Sequence, residues 1–113
     1  MRAVVVESGK ELATRLRVAD SFFSRFKGLL GAPSLPQGEA LWIIPCSSVH
    51  TFWMRFPIDV LFLDREQRVV ALVSNLPPNR VTSLFRSAAS VIELPAGSAA
   101  LNSIAVGDQI AIT

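Results

Sequence analysis

No uninterrupted apolar run in this chain exceeds five residues, Val69 to Val73 being one of that length, and the runs are bounded by polar, charged or turn-forming residues. A helix that crosses a bilayer needs about 20 apolar residues in succession, so no transmembrane segment is expected. The hydrophobic material must instead be buried by packing short elements on one another. Half of the 113 residues are hydrophobic and 18% are charged, which is too apolar for disorder and enough to build a core without disulfides. One domain over residues 1–113 is expected.

The runs read mostly as strands. Val4 to Glu7 and Leu12 to Val18 flank Ser8-Gly9-Lys10-Glu11, and in the second run Leu12, Thr14, Leu16 and Val18 alternate with Ala13, Arg15 and Arg17, an opening hairpin with one wet face. Ala40 to Ile44 is a buried strand. Ile58 to Leu63 and Arg68 to Ser74 enclose the polar quartet Asp64-Arg65-Glu66-Gln67 and form a second hairpin. Ser90 to Leu94 and Gln109 to Ile112 are further strands, with a turn or short helix between Gly97 and Asn102. One helix stands out. Asp20 or Ser21 caps it, Phe22, Phe23, Phe26, Leu29 and Leu30 recur at helical spacing, and Gly31 ends it. Its phenylalanines and Leu30 are expected to pack on the sheet. The fold class is mainly β, α+β by content: a small β-barrel or sandwich with one covering helix near residues 20–30.

Eleven basic and nine acidic residues give a formal charge of +2. Phosphate binding calls for Lys and Arg clustered on one face, whereas here they are scattered from Arg2 to Arg86, so nucleic acid is not indicated. Glu7 interrupts the N-terminal apolar stretch before it reaches the length of a signal-peptide core. A single cysteine, Cys46, forms no intramolecular disulfide and fits a reducing compartment. A cytoplasmic location is the expectation. Neither a phosphate-binding loop nor a dinucleotide fingerprint occurs, and one His with one Cys falls short of the three or four ligands a structural zinc needs. No metal and no cofactor are expected.

The segment from Cys46 to Asp64 gathers the only His, the only Cys and one of two Trp. Its order Phe52-Trp53-Met54, Pro57-Ile58-Asp59, Leu61-Phe62-Leu63-Asp64, together with Arg25 to Leu30 upstream and Val91-Ile92-Glu93-Leu94-Pro95-Ala96-Gly97 and Val106-Gly107-Asp108 downstream, resembles the bacterial and archaeal family catalogued as domain of unknown function 192. The likeness covers nearly the whole chain. It implies a compact β fold and carries no established activity, cofactor or catalytic residue. Many members resemble exported proteins with an N-terminal signal, a feature not seen here, so an extracellular role is not expected.

Chemistry must then be argued from side chains. An Asp within the apolar run around Asp59 is costly to bury as an ion unless it is paired or hydrogen-bonded. Arg55, on the same side of an extended chain, and the amides of the Cys46 to Thr51 loop are the partners at hand. Glu93, between Ile92 and Leu94, poses the same problem. Two functional readings follow. In the first, the Cys46 to Asp59 segment presents a groove for a small ligand or a protein segment, with His50, Phe52, Trp53, Arg55, Asp59 and Glu93 as candidate ligand-binding residues and no catalysis. In the second, Asp59, Glu93 and His50 converge as the acid, base and positioning groups of a small hydrolase or lyase-like enzyme. Cys46 and His50, four apart in a stretch that does not read as helical, are not expected to form an activated thiolate pair.

Overall fold

The Asp64 to Gln67 quartet closes a hairpin because Asp64 folds back on its own chain: Oδ1 accepts from the amides of Glu66 at 2.9 Å and Arg68 at 3.0 Å. The strands on either side are β5, Ile58–Leu63, and β6, Val69–Leu76, in the computed structural model, which describes residues 1–113. On its other edge β5 pairs antiparallel with β7, Ser90–Pro95. All six residues of β5 and all six of β7 are buried. A strand reads this way only when both faces of its sheet are covered.

The order of that five-stranded sheet is β3-β4-β7-β5-β6, with β3 spanning Arg15–Ala19 and β4 Glu39–Ile43. A three-stranded sheet, β2-β1-β8, lies over one face of it, built from Glu11–Ala13, Ala3–Val5 and Ile110–Ile112. Neither sheet closes into a barrel. The mainly β class therefore holds, in two-sheet form. The opening hairpin β1–β2 forms, but its second run splits at Thr14. There the amides of Thr14 and Arg15 both donate to the Gly38 carbonyl, and the chain leaves to run parallel to β4 in the other sheet.

Two apolar clusters lie on opposite faces of the five-stranded sheet. Between the sheets sit Val5, Leu12, Leu16, Leu61, Leu63, Ile92, Leu94 and Ile110. The far face carries Leu41, Ile43, Ile58, Val60, Phe62 and Val91, covered by loops that contribute Leu29, Val49, Met54 and Phe85. Strand alternation assigns each residue to one cluster or the other.

The helix departs most from expectation. Helix α1 spans only Phe22–Lys27, capped by Ser21 in a reciprocal capping box with Ser24, and it ends at Gly28 rather than Gly31. Gly28 has φ +48 and ψ −123, a conformation open in practice to glycine alone. The turn there redirects the chain, so that Leu29, 3% exposed, enters the core, while Phe22, Phe23 and Phe26 are 72%, 82% and 64% exposed. The periodicity that joined the phenylalanines to Leu29 and Leu30 is not one helical face. A second helix, α2, spans Ser98–Leu101. No helix is long and apolar enough to cross a membrane.

Candidate functional site

Glu93 stands at the middle of β7, opposite Leu41 of β4 and Val60 of β5. Both neighbours belong to the far-face cluster, so the carboxyl is set among apolar side chains and is only 3% exposed. Burial raises its pKa to about 7. Above it opens a cavity of about 400 Å³. One wall is the end of α1 and its turn, Arg25 to Leu30; the other is the stretch from Pro45 to His50, with Met54 and Ile43 completing the lining. The turn passes close over the carboxyl, for a Cβ added at Gly28 would stand 4.0 Å from Glu93 Oε1.

The polar groups on these walls are under-used by the protein. Arg25 Nε and His50 Nδ1 are buried without hydrogen-bond partners. Arg25 is held by a single bond from Nη1 to the Pro45 carbonyl, 3.3 Å. Cys46 Sγ donates to the Ser48 carbonyl at 3.1 Å. Its thiol is pushed up chiefly by burial, with the nearby Glu93 acting in the same direction and Arg25 and the Ser48 bond opposing. Cys46 is thus a protonated wall residue and not an activated nucleophile. No group of three or more His, Cys, Asp or Glu side chains is placed to hold a metal ion.

Asp59 is buried as its surroundings require, at 0% exposure, but neither Arg55 nor the loop near His50 is its partner. Its Oδ1 accepts from the amide of Asn75 and Oδ2 from that of Ala99, each at 2.8 Å. Both amides need it. The β5–β6 register shifts between Ile58 and Val60, where Asn75 takes φ +52 and its N–H is left off the ladder. Ala99 is in the first turn of α2, whose N-cap Gly97 has no side chain to offer. Asp59 therefore fastens three elements together.

Asp59 and Glu93 also fall on opposite faces of the sheet. Asp59 is in register with Leu94, of the intersheet cluster, and Glu93 with Val60, of the far cluster. A paired-carboxylate site is not formed, and Asp59 does not line the cavity. Arg55 is exposed in its loop. Of the six candidates, His50 and Glu93 line the cavity together. Phe52 and Trp53 stand beside it: Phe52 stacks on His50 with ring centroids 5.5 Å apart, and Trp53 follows at 6.1 Å from Phe52, with φ +63 and 75% exposure. The α1 wall was not among the expected site residues. The dipeptide Lys27-Gly28 was the available signal, since glycine after a basic residue is a common helix stop.

The profile of domain of unknown function 192, described as Uncharacterized ACR, matches residues 3–112. A UPF0127 protein of Pyrococcus furiosus is 36% identical over 110 residues, covering 93% of this chain and 92% of its own length. A crystal structure of a protein of unknown function from Novosphingobium aromaticivorans shares the fold with TM-score 0.88 at 20% identity, covering 99% of this chain and 84% of that one. One from Sinorhizobium meliloti, described provisionally as a transcription regulator, follows with TM-score 0.84 at 19% identity, over 97% and 89% of the two chains. With the profile spanning almost every residue and a relative 36% identical over 93% of the chain, the chain belongs to this family of unknown function, domain of unknown function 192.

Proposed function

We propose that this protein is a noncatalytic binding domain whose ligand is a small molecule held in the cavity above Glu93. The observation that carries this reading is the convergence on one hollow of the buried Glu93 carboxyl with two buried groups that have no protein partner, His50 Nδ1 and Arg25 Nε, among walls of mixed apolar and polar side chains. Binding sites are usually apolar hollows with a few fixed polar groups. A buried donor or acceptor left unmade costs about 1–3 kcal/mol, so a ligand that satisfies these groups recovers that cost on binding. Arg25 Nε–H only donates and calls for a ligand oxygen; Glu93 takes a ligand N–H or O–H. Small amides, amino acids and hydroxylated acids combine both.

The groove is narrower than the Cys46 to Asp59 segment. It uses the Cys46 to His50 part, with Phe52 and Trp53 at its margin, and excludes Arg55 and Asp59. A buried carboxyl with a pKa of about 7 beside a histidine also favours acid–base chemistry as a second reading, now resting on Glu93 and His50 without Asp59. A thermal-shift screen of amides, amino acids, hydroxy acids, sugars and short peptides separates the two. A ligand at 100 times its Kd adds about 2.7 kcal/mol of stability. Hits lost in Glu93→Gln and recovered unchanged after incubation support binding alone. Chemical conversion of a hit, abolished in Glu93→Gln, moves the assignment to an enzyme; hits indifferent to Glu93→Gln and to His50→Ala refute the site.

A further inference from the structure

Seven of the protein's exposed large hydrophobic side chains belong to the loop layer that covers the far face of the five-stranded sheet: Phe22, Phe23 and Phe26 on α1, Phe52 and Trp53 beside the cavity, and Val81 and Leu84 on the following loop. Monomeric proteins seldom leave so much large apolar surface together without a use for it. The same layer is strongly polarised in charge. From Ser21 to Pro36, Ile44 to Pro57 and Pro77 to Ala89 it holds Arg25, Lys27, Arg55, Arg80 and Arg86 and no acidic residue. The rest of the chain holds six basic and all nine acidic residues. The even scatter of charge along the sequence is therefore folded into one basic, apolar face.

We propose that this face docks the protein on an anionic lipid bilayer, with the α1 phenylalanines and Trp53 entering the headgroup region and the four exposed cations, Lys27, Arg55, Arg80 and Arg86, pairing with lipid phosphates. Aromatic side chains partition to that depth, and basic residues around them add affinity for anionic lipid. The side chains suit a soft medium better than a rigid partner. Phe22, Phe23 and Trp53 are 72–82% exposed, with most of each side chain free to enter lipid. Phe22 and Phe23 meet edge to face, 5.9 Å apart at 81°, Phe52 and Trp53 are tilted at 58° to one another, and Val81 and Leu84 have no ring; a run of parallel stacking faces for single-stranded nucleic acid is thus not presented. A second copy of the chain would set this basic face against itself, opposing like charges. The inference is independent of what the cavity binds.

The test is co-sedimentation of the full chain with phosphatidylglycerol–phosphatidylcholine vesicles and with pure phosphatidylcholine vesicles, reading Trp emission in parallel. Binding to the anionic vesicles only, falling as salt rises, is expected, with a blue shift lost in Trp53→Phe. Each basic residue near the surface contributes about fivefold to the partition constant, so Arg55→Gln with Arg86→Gln together should weaken binding about 25-fold. Phe22→Ser with Phe23→Ser should weaken it at least tenfold while leaving the melting temperature unchanged. Failure to bind anionic vesicles overturns the proposal, as does binding indifferent to the phenylalanine pair. Tighter capture by a single-stranded oligonucleotide, or self-association lost on the same substitutions without lipid, assigns the face elsewhere and also overturns it.

Discussion

Glu93→Gln offers the sharpest reading of the interior, because the Glu93 carboxyl is buried and its pKa is displaced by desolvation. The folded protein holds this group with a pKa of about 7 against an ordinary 4.5. Below pH 4.5 it is protonated whether the chain is folded or not, and it contributes nothing to the pH slope. As the pH rises the unfolded chain releases its proton first, while the folded protein retains it. The folded state then binds more protons than the unfolded, so stability falls with pH until both forms are ionised, somewhat above pH 7. At 1.36 kcal/mol per pKa unit the loss is on the order of 3 kcal/mol. Glutamine has the same shape and does not titrate. Urea unfolding of both proteins at intervals from pH 4 to pH 8.5 should show Glu93→Gln gaining about 3 kcal/mol on the parent across that window, with the other titrating groups cancelling in the difference. Parallel profiles would refute the desolvated carboxyl, and with it the cavity's polar floor.

Two further outcomes test the frame that positions the site. Asp59→Ala should destabilise by about 3–5 kcal/mol in denaturant unfolding, since it strands the buried Ala99 amide and the part-buried Asn75 amide, which both donate to the carboxylate; Asp59→Asn, which keeps one acceptor and opposes an NH₂ to the other amide, should fall between. A near-neutral Asp59→Ala would show that β6 and α2 satisfy those amides by other means. Leu29→Ala should cost about 2–5 kcal/mol and Phe23→Ala within about 0.5 kcal/mol, measured as midpoint shifts at constant m; the reverse order would mean that α1 packs by its phenylalanines after all.

What was legible in the sequence was local. The β5–β6 hairpin follows from Asp64 and the polar residues beside it, because an Asx turn is made within five residues. The start of α1 at Ser21 is readable for the same reason. The alternation of Ile58, Val60 and Phe62 against Asp59, Leu61 and Leu63 also survives, since the strand period holds wherever a strand forms. Even the burial of Asp59 was foreseeable, an aspartate inside an apolar strand having nowhere wet to go.

Its partners were not foreseeable. Asn75 and Ala99 lie 16 and 40 residues away, and each needs a carboxylate only because a register shift and a glycine cap leave its amide free. Asp59 and Glu93 look alike in sequence, two acids within apolar strands, yet the β5–β7 register sends them to opposite faces, one to fasten elements and the other to floor a cavity. Local pattern carries the period of a strand but not the phase of its neighbour. That phase is decided when sheets pair and loops close over them, and here it determines which of the two acids a ligand can reach.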